Sequence, residues 1–378
     1  MLTFKQGGDV GQNQRVCLLA LMLLAMMASV SQAASLDDYW LYEQYYEDHP
    51  EELPWLEALT RAVQSPPRSI HSGEQHRPVR IAQVYPGLQA SSYWSDSENA
   101  LTGRLDDLGI RYWLETRYTA PNIHLDEQIR QIRELLEWQP DFLIYTLDSP
   151  RHRHIIERLI QNTDTRLILQ NITTPLKSWK NRQPFMYVGF DHIEGGRILA
   201  RHFAERFPEG ARYGVLFRSK GLVSQMRGSG FIEALPPGHR MLSSYYSDSS
   251  RDGGREAAGR MLSQHPELDY IYACSTDVAL GTLDALEASG QSLSVNGWGG
   301  GPEEIEQLRE GRLDTVLMRL GDEAGIAIAE AISRTLQGKP VPTVFSGQFV
   351  VLDSRMSDAE IHQHEAYARR YSGAGRDY

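Results

Sequence analysis

The chain has 378 residues, enough for more than one domain of ordinary size. With 41% hydrophobic and 23% charged residues it has the composition of a soluble globular protein, and a formal charge of −11 excludes a general nucleic-acid binder.

Taken in chain order, residues 1–33 read as an export signal. Lys5 and Arg15 form a basic start, "VCLLALMLLAMMASV" is an apolar run of 15 residues, and "SQAA" offers small residues for cleavage near Ala33. The rival is a membrane anchor, but a span needs about 20 apolar residues. A lipoprotein would need its cysteine at the cleavage point, and Cys17 lies at the start of the apolar run. Removing the segment takes away two cations and one carboxylate, moving the formal charge from −11 to −12. Only Cys274 remains, so no intramolecular disulfide can form. It lies in "LDYIYACSTDVAL", a buried-strand pattern, and reads as a small core residue rather than a catalytic thiol. These features predict a periplasmic protein that does not span the membrane after cleavage.

Residues 35–78 are aromatic and helix-prone, "LDDYWLYEQYYEDHPEELPWLEALTRAVQSPP", and predict a helical extension tethered to a lobe. From residue 79 strands and helices alternate. "VRIAQVY" precedes a helix at 93–108; "IRYWLETRY" precedes one at 124–138; "PDFLIYTL" precedes one at 151–162; "TRLILQN" ends in a loop. "FMYVGF", "RYGVLF", "MLSSYY", "DYIYAC", "LSVNGW" and "LDTVLMRL" follow, each before a helical stretch, and "TVFSGQFVVL" closes the series, with the chain expected to recross between lobes near Arg319 and again near Thr343. Buried strands with helical crossovers predict α/β lobes built on doubly wound parallel sheets. The expected division is 79–186 plus about 320–343 for the N-terminal lobe, and 187–318 plus about 344–372 for the C-terminal lobe, joined by a multi-strand hinge. The tail "YSGAGRDY" reads as frayed.

In open α/β sheets ligands bind beyond the carboxyl ends of the strands. At those ends stand Gln89, Ser91 and Trp94, then Asn171, Arg227, Thr276, Trp298 and Arg319. Amides and hydroxyls exchange hydrogen bonds with ligand hydroxyls, indoles pack on C–H faces, and guanidinium forks grip paired oxygens. Two arginines from different strand ends suggest an anionic ligand. Several of these residues have plainer explanations. Ser275-Thr276-Asp277 serves equally as a helix N-cap, and "NGWGGG" can be a loop needing positive φ, with no Lys-Ser/Thr to complete a phosphate loop. Asp191 in "GFDHIEGGR" reads as a cap, with Gly195-Gly196 permitting close helix packing. His152 and His154 stand two apart on a helix and do not face the same way, so no metal is expected. No paired carboxylates or Ser-His-Asp set stands out, so no enzyme and no cofactor is expected.

These residues carry a resemblance. "VYPGLQASSYW", "LILQNITTP", "YVGFDHIEGGR", "IYACSTDVALG", "NGWGGG", "MRLGDEAGIAIAEAI" and "KPVPTVFSG" resemble the type I periplasmic binding proteins related to ribose-binding protein. They are most similar to the autoinducer-2-binding receptors of the LuxP type, over nearly the whole mature chain. The resemblance implies that Gln89, Ser91, Trp94, Asn171, Arg227, Thr276, Trp298 and Arg319 hold a furanosyl borate diester, the two arginines facing the borate. It also implies a partner, the periplasmic domain of a membrane hybrid sensor kinase of the LuxQ kind. Departures such as "GLQASS" and "FRSKG" touch the rim of that site. The alternative is a pentose- or hexose-binding protein serving a transporter or chemoreceptor.

Overall fold

A computed structural model describes residues 36–86, 92–119, 125–147 and 150–373. The expected export signal, Gln89 and Ser91 lie outside the described residues.

The first strand shows why this sequence folds as layers. Every residue of β1 (Val79–Tyr85) is buried except Arg80, which is partly so. A strand apolar on both faces must be covered on both, and Pro86, with no N–H to offer, ends it. Around it lies a six-stranded parallel sheet in the order β11-β5-β4-β3-β1-β2. Its members are β2 (Tyr112–Tyr118), β3 (Phe142–Thr146), β4 (Arg166–Gln170), β5 (Met186–Phe190) and β11 (Val344–Gly347). Helices α3 (Tyr93–Asp107), α4 (Leu125–Glu137), α5 (Pro150–Asn162) and α11 (Asp322–Leu336) alternate with its strands or return to it. Ile326, Ala327 and Ile332 of α11 pack in one core with Ile81, Ile144, Leu101 and Leu105.

The second sheet runs β12-β10-β9-β8-β6-β7, parallel except for β12, which pairs antiparallel with β10. It comprises β6 (Arg212–Phe217), β7 (Arg240–Tyr246), β8 (Tyr270–Ala273), β9 (Ser294–Gly299), β10 (Thr315–Arg319) and β12 (Phe349–Asp353). Its helices are α6 (His192–Arg206), α7 (Leu222–Ala234), α8 (Arg251–Gln264), α9 (Thr276–Ser289), α10 (Pro302–Arg309) and α12 (Asp358–Ala368). The two doubly wound lobes expected from the alternating pattern are therefore present.

Three details differ from expectation. The second lobe was expected to begin at residue 187, yet the chain stays in the first sheet to Phe190, as β5, hydrogen-bonded between β4 and β11. That lobe was also expected to resume at about residue 344, yet Val344–Gly347 joins the first sheet and only Phe349–Asp353 the second, with Gln348 between them. Helix α12 was not anticipated, although its capping box was legible, Ser357 capping the N–H of Glu360 while the Glu360 carboxylate returns to the N–H of Ser357.

The chain thus crosses between lobes at Asp191, at Leu320-Gly321 and at Gln348, and the crossings are bonded together. The Asp191 N–H donates to Ser346 Oγ at 3.0 Å, the Leu320 N–H to the Gln348 carbonyl at 2.9 Å, and the Gln348 N–H to Glu323 Oε2 at 2.8 Å. A fourth connection runs through the C-terminus. Ile361 and Ala368 of α12 lie in a core of the second lobe, whereas Tyr371, three residues on, lies in the core of the first.

The N-terminal extension forms α1 (Tyr42–Asp48) and α2 (Leu53–Gln64). It covers the outer edge of β11, where open backbone groups would otherwise invite pairing. The Tyr46 hydroxyl donates to the Val344 carbonyl, and Glu52 accepts from the Thr343 N–H at 2.6 Å and the Thr343 hydroxyl at 2.9 Å.

Candidate functional site

Asn171 follows β4 with φ of 67°, a left-handed conformation that asparagine tolerates better than most residues. Its Oδ1 is buried and, among the described residues, has no hydrogen-bond partner. The same holds for Ser275 Oγ, at the start of α9. Unpaired buried acceptors and hydroxyls are costly, and a ligand is one way to satisfy them.

Arg227 sits in α7 with its side chain buried. Its Nε donates to His192 Nδ1 at 3.3 Å and its Nη1 to the Cys274 carbonyl at 2.9 Å. The guanidinium carbon lies 3.8 Å from the centroid of the Trp298 ring, a stacking that stabilises a desolvated cation by roughly 2 kcal/mol. His192 passes the contact onward, its Nε2–H donating to the Asn171 carbonyl at 3.0 Å. Because Nδ1 accepts from Arg227, the Nε2–H tautomer is the one this geometry requires. Burial, reinforced by the Arg227 charge, holds the His192 pKa well below the usual imidazole value, so the ring stays neutral.

Arg319 ends β10 and is equally buried. Its guanidinium carbon stands 4.4 Å from the Tyr93 ring centroid and 5.8 Å from that of Phe190, both contributed by the first lobe. Among the described residues neither Arg227 nor Arg319 forms an ion pair. Burial, with the charges of Arg319 and Arg218 added, pushes the Arg227 pKa down to about 9, and burial lowers that of Arg319 too. Both stay protonated at neutral pH. The charge of Arg319 thus weighs on Arg227, whereas Tyr93, Glu304 and Asp96 offset part of the desolvation of Arg319; an anion beside Arg227 would relieve the repulsion there.

The glycine run connects these parts. A Cβ on Gly299 would lie 3.1 Å from Arg319 Nη2 and 3.2 Å from Thr276 Oγ1, so both side chains converge on its backbone. Gly299 and Gly300 have φ of 140° and 79°, which is why glycine stands there. The run is pinned by Glu304, a buried carboxylate on α10 that accepts from the N–H groups of Trp298 and Gly300 at 2.7 Å each.

Two expectations about donors change. Thr276 does not cap: its hydroxyl donates to the Trp298 carbonyl at 3.1 Å, and Ser275 makes no side-chain cap bond either. The Trp298 indole N–H donates to Tyr272 Oη at 3.1 Å, so that donor is already engaged. Trp94 lies against Tyr85 and Tyr93, at centroid distances of 4.7 and 5.0 Å. Cys274 is buried and its thiol pKa is pushed up by burial, consistent with a core residue. Asp191 does cap α6, accepting from Ile193 and Glu194. Among the described residues no cluster of three metal-ligating side chains occurs and no helix is long and apolar enough to cross a membrane.

Sequence reasoning missed His192, Tyr93, Tyr272 and Glu304. Tyr93 is buried and forms the floor beneath Arg319. No local pattern marks these residues, because each acts through a partner distant in sequence.

Known proteins share this fold. The periplasmic binding protein domain matches residues 81–340. Ribose import binding protein RbsB of Escherichia coli is 29% identical over 159 residues, 41% of this chain and 53% of that protein, so the chain spans about half the length of the curated relatives it first matches. A D-ribose/D-allose-binding protein of Pseudomonas aeruginosa is 24% identical over 238 residues, 61% of this chain and 72% of that protein. Among solved structures, GanP, a glucose-galactose binding protein from Geobacillus stearothermophilus, superposes with a TM-score of 0.66 at 21% identity, covering 75% of this chain and all of that one. A periplasmic solute binding protein from Actinobacillus succinogenes with bound D-allose gives 0.65 at 19% identity, covering 77% of this chain and all of that one. Each is named as a binding protein, and the two solved structures share the fold described above. The chain belongs to the periplasmic binding protein family.

Proposed function

We propose that this chain is an exported receptor that closes its two lobes on a small, sugar-like ligand carrying negative charge. The observation that carries the charge is the pair Arg227, buried in α7, and Arg319, buried at the end of β10, neither of which forms an ion pair among the described residues, although Glu304 and Asp96 act on Arg319 from further off. The ligand that best fits the reading is the furanosyl borate diester of autoinducer-2, as the resemblance of the strand-end segments implies. Gln89, Ser91, Trp94, Asn171 and Thr276 would serve its oxygens and ring, Trp298 its apolar face and the support of Arg227. Closure is a population shift: a ligand touching both lobes binds the closed form better and so favours it. The signal would pass to the periplasmic domain of a membrane sensor kinase. No bond is made or broken, and no cofactor is needed.

A second reading has its own support. The relatives are named for ribose, allose, glucose and galactose, which favours a neutral pentose or hexose delivered to a transporter or chemoreceptor.

Isothermal titration calorimetry separates the two. Autoinducer-2 with borate is expected to bind, and Arg319→Gln to weaken it by about 2–3 kcal/mol, roughly 30- to 150-fold, as for a lost charge-assisted buried contact. Saturable binding of ribose or allose, indifferent to borate and to Arg319→Gln, would establish the second reading instead.

A further inference from the structure

A cavity of about 490 Å³ opens on the outer face of the first lobe, between α2, the segment 65–74 and the C-terminal half of α11. Arg61, Arg68, Arg334 and Lys339 line it, with the buried pair Arg104 and Glu330 among its walls. Glu74 is its other carboxylate. In a chain of formal charge −11 this is a local excess of cations.

The two carboxylates are already engaged. Glu330 pairs with Arg104 at 2.6 Å, both nearly inaccessible to solvent. The remaining donors of Arg104 go to the carbonyls of Ala62 and Ser65 and to the Tyr371 hydroxyl. Glu74 accepts from the His71 N–H at 3.0 Å and from the Gln337 amide at 3.2 Å.

The cations are not matched in return. Among the described residues the side chains of Arg68 and Lys339 form no ion pair, and Arg334 donates only to the Pro340 carbonyl, at 2.8 Å. Arg61 reaches Glu57 at 3.6 Å with both side chains about 70% exposed, a pairing that contributes little. Arg334 is partly buried, and burial lowers its pKa, with Arg61 adding repulsion against the pull of Glu330. Cations brought to one cavity from α2, the following segment, α11 and the turn after it suit a compact polyvalent anion. Guanidinium forks match phosphate oxygens in pairs, and an ammonium adds a point charge. The volume exceeds what one phosphate fills, leaving room for an organic substituent.

We propose that this cavity binds a phosphate-bearing anion, free in the periplasm or displayed as a lipid headgroup, at a site separate from the interlobe cleft. Its test uses the chain purified after export, with pyrophosphate followed by calorimetry and phosphatidylglycerol vesicles followed by co-sedimentation against phosphatidylcholine vesicles. At least one probe is expected to bind, saturably for pyrophosphate and selectively for the anionic vesicles. Pyrophosphate alone identifies a free ligand; the vesicles alone identify a headgroup. Arg68→Ser with Lys339→Ser, two exposed positions that leave the fold intact, is expected to weaken binding at least about tenfold. Arg334→Gln is expected to act in the same direction. Arg319→Ala, in the cleft, is expected to leave it unchanged, so failure here is distinguishable from failure of the cleft's assignment. Absence of binding by both probes overturns the proposal, as does binding that survives the double variant and disappears in Arg319→Ala.

Discussion

His192 shows how one buried side chain couples the site to solvent pH. It accepts from Arg227, donates to Asn171, and is kept neutral by burial and by the neighbouring cation. The unfolded chain takes up its proton near pH 6.5, whereas the folded chain resists doing so far below that. Protons bound only by the unfolded state favour unfolding, so this residue's contribution is complete above about pH 6.5 and is lost as pH falls. Urea unfolding at pH 7 and pH 5 tests this. The stability lost between them is expected to be smaller in His192→Gln than in the parent, by up to about 2 kcal/mol. Equal losses in the two proteins would show that the imidazole is not held neutral. The candidate site was legible as a set of residue types: Asn171, Arg227, Thr276, Trp298 and Arg319 do stand at strand ends or in the helices that follow them. What each side chain does was not legible. Thr276 bonds Trp298 and the Trp298 N–H turns to Tyr272, because those partners come from other segments of the second lobe.

Between elements, the decisive contact is the one that holds Arg227 in place. Helices α6 and α7 approach so closely that a Cβ on Gly196 would lie 2.5 Å from the Arg227 carbonyl and 2.7 Å from the Phe231 nitrogen. A Cβ on Gly195 would lie 2.7 Å from the Trp298 ring. The expectation that Gly195-Gly196 permits close packing therefore holds, and both surfaces so packed belong to the site. Gly196→Ala sets a methyl group against backbone that cannot swing aside. It is expected to lower stability by about 1–3 kcal/mol and to weaken ligand binding through displacement of α7. Thermal unfolding and calorimetry measure the two effects; a fully stable Gly196→Ala chain would mean that the helices separate without cost. Helix boundaries such as Pro150–Asn162, expected at 151–162, were readable from local pattern alone, whereas the missed helix α12 was hidden by its polar character. Of its residues only Ile361 and Ala368 are buried.

For the molecule as a whole, the C-terminal strap adds a link to the three hinge crossings. After α12 the chain returns to the first lobe. There the Tyr371 hydroxyl accepts from Arg104 at 3.0 Å and donates to Asp107 at 2.8 Å, Arg370 donates to the Val63 carbonyl at 3.1 Å, and the Ser372 N–H donates to Asp322 at 3.1 Å. Asp322 begins α11, directly beyond the second crossing, so the strap grips the hinge itself. Tyr371→Ala removes a buried ring and leaves Arg104 with a donor unmatched. It is expected to cost about 2–4 kcal/mol of stability. It is also expected to change the fraction of closed receptor, readable by small-angle scattering with and without ligand. An unchanged scattering response would show that the strap carries stability alone.

The sequence by itself determined the alternation of strand and helix, the two-lobed class and the strand-end positions of the polar and charged residues. Those follow from local periodicity and from where Pro and Gly interrupt it. Only the tertiary structure decided that β5 and Val344–Gly347 close the first sheet, that Gln348 is a crossing, and that Tyr93 and Trp298 lie beneath the two arginines. Strand partners and ring–cation contacts join residues up to hundreds of positions apart, and a local pattern carries no record of which distant segment will supply the other half.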